Sequence, residues 1–171
     1  MSVRSEFEAV YDAVFPRVYA YYSVCFNADC ADDLSQQVFM KVWKKMNEAG
    51  FCAPGDWRAW IFRIAINVKN DFLREKYKQP EFIDLEHSEH ERRDIDIDNA
   101  DDIDNKLMII KALNSLDTND RDILLLHGSG FSSKELGSVF NVPPSTVRSR
   151  LSAARKRFKD ELAFNGVNVD G

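Results

Sequence analysis

Cysteine is scarce in this sequence. Cys25, Cys30 and Cys52 form an odd set with no C-x-x-C pair, which excludes a disulfide framework and suits a reducing compartment. Cys25, Cys30, His87 and His90 can be written together as a metal set on paper, but the two pairs stand in unrelated segments, so no metal and no other cofactor is expected. Long apolar runs are missing too. No stretch approaches the roughly 20 residues that span a bilayer, and the opening MSVRSEFEAV has no apolar signal core. A cytoplasmic protein without membrane insertion is the expectation. Neither a Gly-rich phosphate loop, nor H-E-x-x-H, nor a nucleophile with an adjacent base can be found, so the chain does not read as an enzyme. Period-two alternation of useful length is equally absent, which removes strands and leaves an all-α chain.

What is abundant is charge, unevenly placed. The formal net charge is −5, yet residues 1–79 carry 11 Lys/Arg against 10 Asp/Glu, and residues 107–171 carry 9 against 7. Residues 80–106 carry 3 against 11, a net −8 that accounts for all the acidity. That segment mixes acids with isolated isoleucines and has few aromatics. A block of like charge repels itself in a compact state, so it reads as a flexible acidic linker. The expected organisation is two small helical domains, 1–79 and 107–164, joined by linker 80–106 and followed by a tail, 165–171.

In the first domain, Phe7, Val10, Tyr11, Val14, Phe15, Val18, Tyr19 and Tyr22 recur at spacings of three and four, the mark of one helix stripe. Pro16 is expected to kink or divide that helix. Ala31, Leu34, Val38, Val42 and Met46 form a second stripe. After the turn-rich NEAGFCAPGD, Asp56 can cap a third helix bearing Trp57, Trp60, Ile61, Ile64, Ala65, Val68 and Phe72. In the second domain, Leu107, Ile110, Leu113 and Leu116 suggest a fourth helix. A fifth starts at Asp117 or Thr118 and is stopped by Gly128 and Gly130.

From Phe131 onward the sequence spells a helix-turn-helix. Ser132 and Glu135 make a capping box, and Leu136, Val139 and Phe140 supply a buried face. Gly137 stands where two helices approach closely, Asn141 suits a left-handed helix end, and Val142 buries the turn. Pro144 fits the first position of the next helix and forces Pro143 into the extended geometry of an N-cap. Val147, Leu151, Ala154, Phe158 and Leu162 then point inward. Ser145, Thr146, Arg148, Ser149, Arg150, Ser152, Arg155 and Lys156 are the candidate duplex contacts, the small hydroxyls allowing close approach to base edges and the cations suiting phosphates.

A helix-turn-helix by itself fits many regulators, so the first domain decides between them. DDLSQQVFMKVWKKM (Asp32 to Met46) followed by WRAWIFRIAINVKNDFLREKYK (Trp57 to Lys78) resembles the core domain of bacterial RNA polymerase sigma factors of the extracytoplasmic-function (ECF) group. LNSLDTNDRDILLLHGSGFSSKELGSVFNVPPSTVRSRLSAARKRF (Leu113 to Phe158) resembles that group's C-terminal domain, and the two sets stand in the family's order. The resemblance implies that core RNA polymerase and promoter DNA are partners, together with an anti-sigma factor. It implies that Asp33, Gln36, Gln37, Met40, Lys41 and Lys44 face polymerase, although the family usually has an acid where Gln37 stands. It implies that Asn67, Lys69, Asn70, Arg74, Lys76 and Lys78 read and melt the downstream (minus-ten) element, while the C-terminal helix docks in the upstream (minus-thirty-five) element. Phe39 and Trp43 fit either polymerase anchors or core, and periodicity favours core over stacking wedges for Trp57 and Trp60. Two other readings make different predictions: a stand-alone regulator binds duplex without polymerase, and a sequestering protein depends on residues 80–106.

Overall fold

A computed structural model of the chain describes residues 2–78 and 100–166, which form seven helices and no strand. The chain divides into two units, Met1–Arg93 and Asp94–Gly171, each with its own core. Residue 79, residues 80–99 of the expected linker with His87 and His90, and residues 167–171 of the tail lie outside the described residues.

The first unit packs α1 (Val3–Cys25), α2 (Ala28–Met46) and α3 (Trp57–Tyr77). Each starts at a side-chain cap that satisfies a free amide. Ser2 accepts from the Ser5 amide at 3.2 Å, Asn27 from that of Cys30 at 2.8 Å, and Asp56 from that of Ala59 at 3.1 Å. Val14, Val18 and Tyr22 of α1, Leu34, Val38 and Val42 of α2, and Ile61, Phe62 and Ala65 of α3 are buried together. Side chains of this size each contribute about 1.5–3 kcal/mol on burial. The Tyr22 hydroxyl is buried as well, and it donates to the Ala65 carbonyl at 2.6 Å, tying α1 to α3. Pro16 does not divide α1. It sits exposed on the outer face, and the turns on either side are held by buried Val14 and Val18, so packing outweighs the lost backbone bond.

The second unit contains α4 (Ala100–Ser115), α5 (Thr118–Gly128), α6 (Ser133–Phe140) and α7 (Pro144–Phe164), with α7 packed on the other three. Ala112, Ile123, Leu126, Phe131, Leu136, Val147, Leu151 and Ala154 make its core. Helix α4 begins at Ala100, inside the segment expected as linker, rather than near Leu107. An acidic stretch is a favourable helix start, because negative charge offsets the dipole at that end. Periodicity of apolar residues, which marks only the packed part of a helix, could not show those first turns.

Candidate nucleic-acid interface

The turn between α6 and α7 is built by backbone geometry. The Ser132 hydroxyl accepts from the Glu135 amide at 3.1 Å while the Glu135 carboxylate accepts from the Ser132 amide at 3.4 Å, closing the capping box. Asn141 ends α6 in the left-handed conformation at φ 55°. A Cβ on Gly137 would lie 2.7 Å from the Val142 carbonyl oxygen, so only glycine lets the turn fold back onto α6. Pro143 is the extended N-cap of α7 and offers no side-chain bond, and Pro144 occupies the first turn.

This start sets the rotation of α7. Val147, Leu151, Ala154 and Leu162 are buried, with Phe158 half-buried, and the opposite side is open. Ser145, Arg148, Ser149, Arg150, Ser152, Arg155 and Lys156 are all exposed, and Thr146 is half-buried. Arg148, Ser152, Arg155 and Lys159 run at spacings of four, three and four, a single stripe along the helix. The two arginines nearest its middle are held differently. Arg157 pairs with the carboxylate of Asp120 in α5, a group only 10% exposed. Arg155 donates instead to Nδ1 of His127 at 3.3 Å.

In the first unit, Asn67, Asn70 and Arg74 are exposed and spaced as neighbours on one face of α3. Exposed Arg74 pairs with Asp71 at 3.3 Å and exposed Lys78 with Glu75 at 3.6 Å. Such surface pairs are worth little, so either cation can exchange its carboxylate for a phosphate. Lys76 is half-buried with its Nζ 5.9 Å from the Phe72 ring centroid. Lys69 departs from expectation. It is fully buried, with Nζ 5.7 Å from the centre of the Tyr21 ring, and does not face solvent with its neighbours. Its position follows Phe62, Ala65 and Ile66 on the core side of α3, a placement the spacing contains and the charge obscures. Arg63 is the residue that sequence reasoning passed over. It is exposed four residues before Asn67, on the same face, and that i, i+4 spacing was the available signal.

On α2, Asp33, Gln36, Gln37, Met40, Lys41 and Lys44 are all exposed and form one continuous face opposite the core. Met40 is 69% exposed, and Trp43 of the same helix is 40% exposed. Phe39 belongs to the core at 2% exposure, 4.9 Å from Tyr11 and 5.5 Å from Phe15 between ring centres. Trp43 lies beside that face and meets Phe7 edge-on at 5.0 Å. Trp57 and Trp60 are half-buried and packed edge to face at 5.5 Å, with Phe51 against both. Burial pushes the Cys30 thiol up from its ordinary range, with Lys76 opposing and Asp33 adding, so it stays protonated and poorly nucleophilic near neutral pH.

Residues 106–158, which hold this helix-turn-helix, match the family model described as Sigma-70, region 4. RNA polymerase sigma factor HrpL of Pseudomonas syringae pv. syringae is 31% identical over 141 residues, spanning 80% of this chain and 75% of that protein. The chain belongs to the RNA polymerase sigma factors. The ECF RNA polymerase sigma factor SigE of Mycolicibacterium smegmatis is 30% identical over 149 residues, 83% of this chain and 55% of the relative. Among solved structures, the sigma factor RpoE in complex with the anti-sigma factor NepR from Bartonella quintana aligns with a TM-score of 0.70 at 28% identity, covering 97% of this chain and 99% of that one. CnrH, solved with the cytosolic domain of CnrY, aligns at a TM-score of 0.62 and 22% identity over 93% of this chain and 86% of that one, a likeness of fold. As a sigma factor, the chain recognises promoters and initiates transcription with RNA polymerase.

Proposed function

We propose that the two units of this sigma factor divide promoter recognition between them. Residues 107–164 read the upstream element through α7, with Ser145, Thr146, Arg148, Ser149, Arg150 and Ser152 near base edges, and Arg155 and Lys156 on phosphates. Residues 1–79 hold core polymerase through Asp33, Gln36, Gln37, Met40, Lys41 and Lys44. They read and open the downstream element through Asn67, Asn70, Arg74, Lys76 and Lys78, with Arg63 extending that face. Amides can pair with the edge of an extruded base, and the cations suit a single strand's phosphates. Lys69, being buried, supports this face from behind and is not assigned to DNA.

The observation that carries the reading is the clean separation on α7 of a buried apolar side from an exposed stripe of hydroxyls and cations. The work is done in the cytoplasm, without catalysis of its own. An anti-sigma factor is its regulatory partner, supported by the solved complex of RpoE with the anti-sigma factor NepR. Run-off transcription with purified core polymerase, on a template enriched from a random pool, tests the proposal. Transcript that depends on this chain is expected. Failure to bind core or to initiate on any enriched template contradicts it.

A further inference from the structure

We propose that His127 is a positioning residue for DNA binding, holding the Arg155 guanidinium on the open stripe of α7 so that it meets a phosphate already ordered. The inference rests on the reading of α7 as the duplex-binding helix. An arginine on an exposed stripe is a long, mobile side chain, and immobilising it on binding costs conformational entropy. Arg155 is not left mobile. Its Nη2 lies 3.3 Å from Nδ1 of His127, in the last turn of α5.

Arginine offers donors only, so this contact is a hydrogen bond in the tautomer that leaves Nδ1 as the acceptor and carries the proton on Nε2. The guanidinium has five N–H donors, and one bond to the imidazole leaves the rest for phosphate oxygens. The nature of the acceptor matters as much as its place. Arg157, two residues on, is paired with the Asp120 carboxylate, which offsets its charge and commits it to joining α7 to α5. A ring-nitrogen acceptor carries no negative charge, so it steers Arg155 without offsetting its charge and the full cation remains for the duplex. The base of His127 is itself fixed, because its neighbour Leu126 is fully buried and α5 packs on α7.

The test uses holoenzyme assembled from core polymerase and the full chain, bound over a range of salt concentrations to a duplex which that holoenzyme selects from a random pool. Arg155→Ala is expected to weaken binding about tenfold and to lower the slope of log affinity against log salt by about 0.9. His127→Ala and His127→Leu are each expected to cost about threefold, without change in affinity for core polymerase. His127→Gln, which retains an acceptor, restores binding. In an Arg155→Ala background His127→Ala costs nothing further, whereas in an Arg148→Ala background it keeps its full cost. If Arg155→Ala is silent, the phosphate assignment on α7 fails and this inference with it. If Arg155→Ala weakens binding but His127→Ala does not, or its cost persists without Arg155, the positioning role alone is overturned. A silent His127→Leu beside a costly His127→Ala also overturns it, since bulk rather than the acceptor then matters.

Discussion

The two units present their proposed contact faces by different means. In the first, three long helices pack about large aromatics and branched residues, and the candidate contacts are whatever the core leaves facing outward along α2 and α3. In the second, the face on α7 depends on the turn before it: a capping box, a glycine beneath a carbonyl, and one left-handed asparagine set the helix's rotation. The contrast teaches that a recognition surface can rest on bulk packing or on a few backbone positions. The two cases fail differently under mutation.

The largest effect should come from the packed case. Phe39→Ala removes a buried ring that touches Phe7, Tyr11 and Phe15 and should cost about 3–5 kcal/mol of first-unit stability by denaturant unfolding. Near-native stability would show that the aromatic cluster is not the support. Gly137→Ala adds one carbon, yet it should cost about 1–3 kcal/mol in the second unit and weaken promoter binding while core binding stays intact. A neutral result would mean the turn can shift, and the backbone half of the comparison would fall. Lys69→Met keeps the bulk of a buried side chain and deletes its charge over Tyr21, so stability should drop by about 2 kcal/mol, visible in a thermal melt without DNA. Loss of downstream-element affinity with an unchanged melt would return Lys69 to the DNA. Ser132→Ala opens the capping box for about 1 kcal/mol, detectable as a lower unfolding midpoint with polymerase affinity untouched.

Legibility followed the same division. The helix-turn-helix could be read residue by residue, because Ser132, Gly137, Asn141 and Pro144 each answer to a local rule that needs no knowledge of the rest of the chain. The helices of the first unit were equally plain from their spacing, and the exposed α2 face lies where its stripe placed it. The burial of Lys69 is not legible in the sequence, because lysine is a surface residue by type and its burial is decided by α1 supplying a ring opposite it, a tertiary fact. The start of α4 is not marked in the sequence, because its first turns carry charge rather than an apolar repeat. Phe39 and Trp43 could not be separated by spacing alone, since only the packing of α1 on α2 determines which ring is enclosed.

The division of labour between the units is tested most directly by measuring one chain, Arg148→Ala, for affinity to core polymerase and, as holoenzyme, to its selected promoter. Unchanged polymerase affinity with promoter binding weakened by about 1–3 kcal/mol is the predicted result. Equal losses in both would contradict the account.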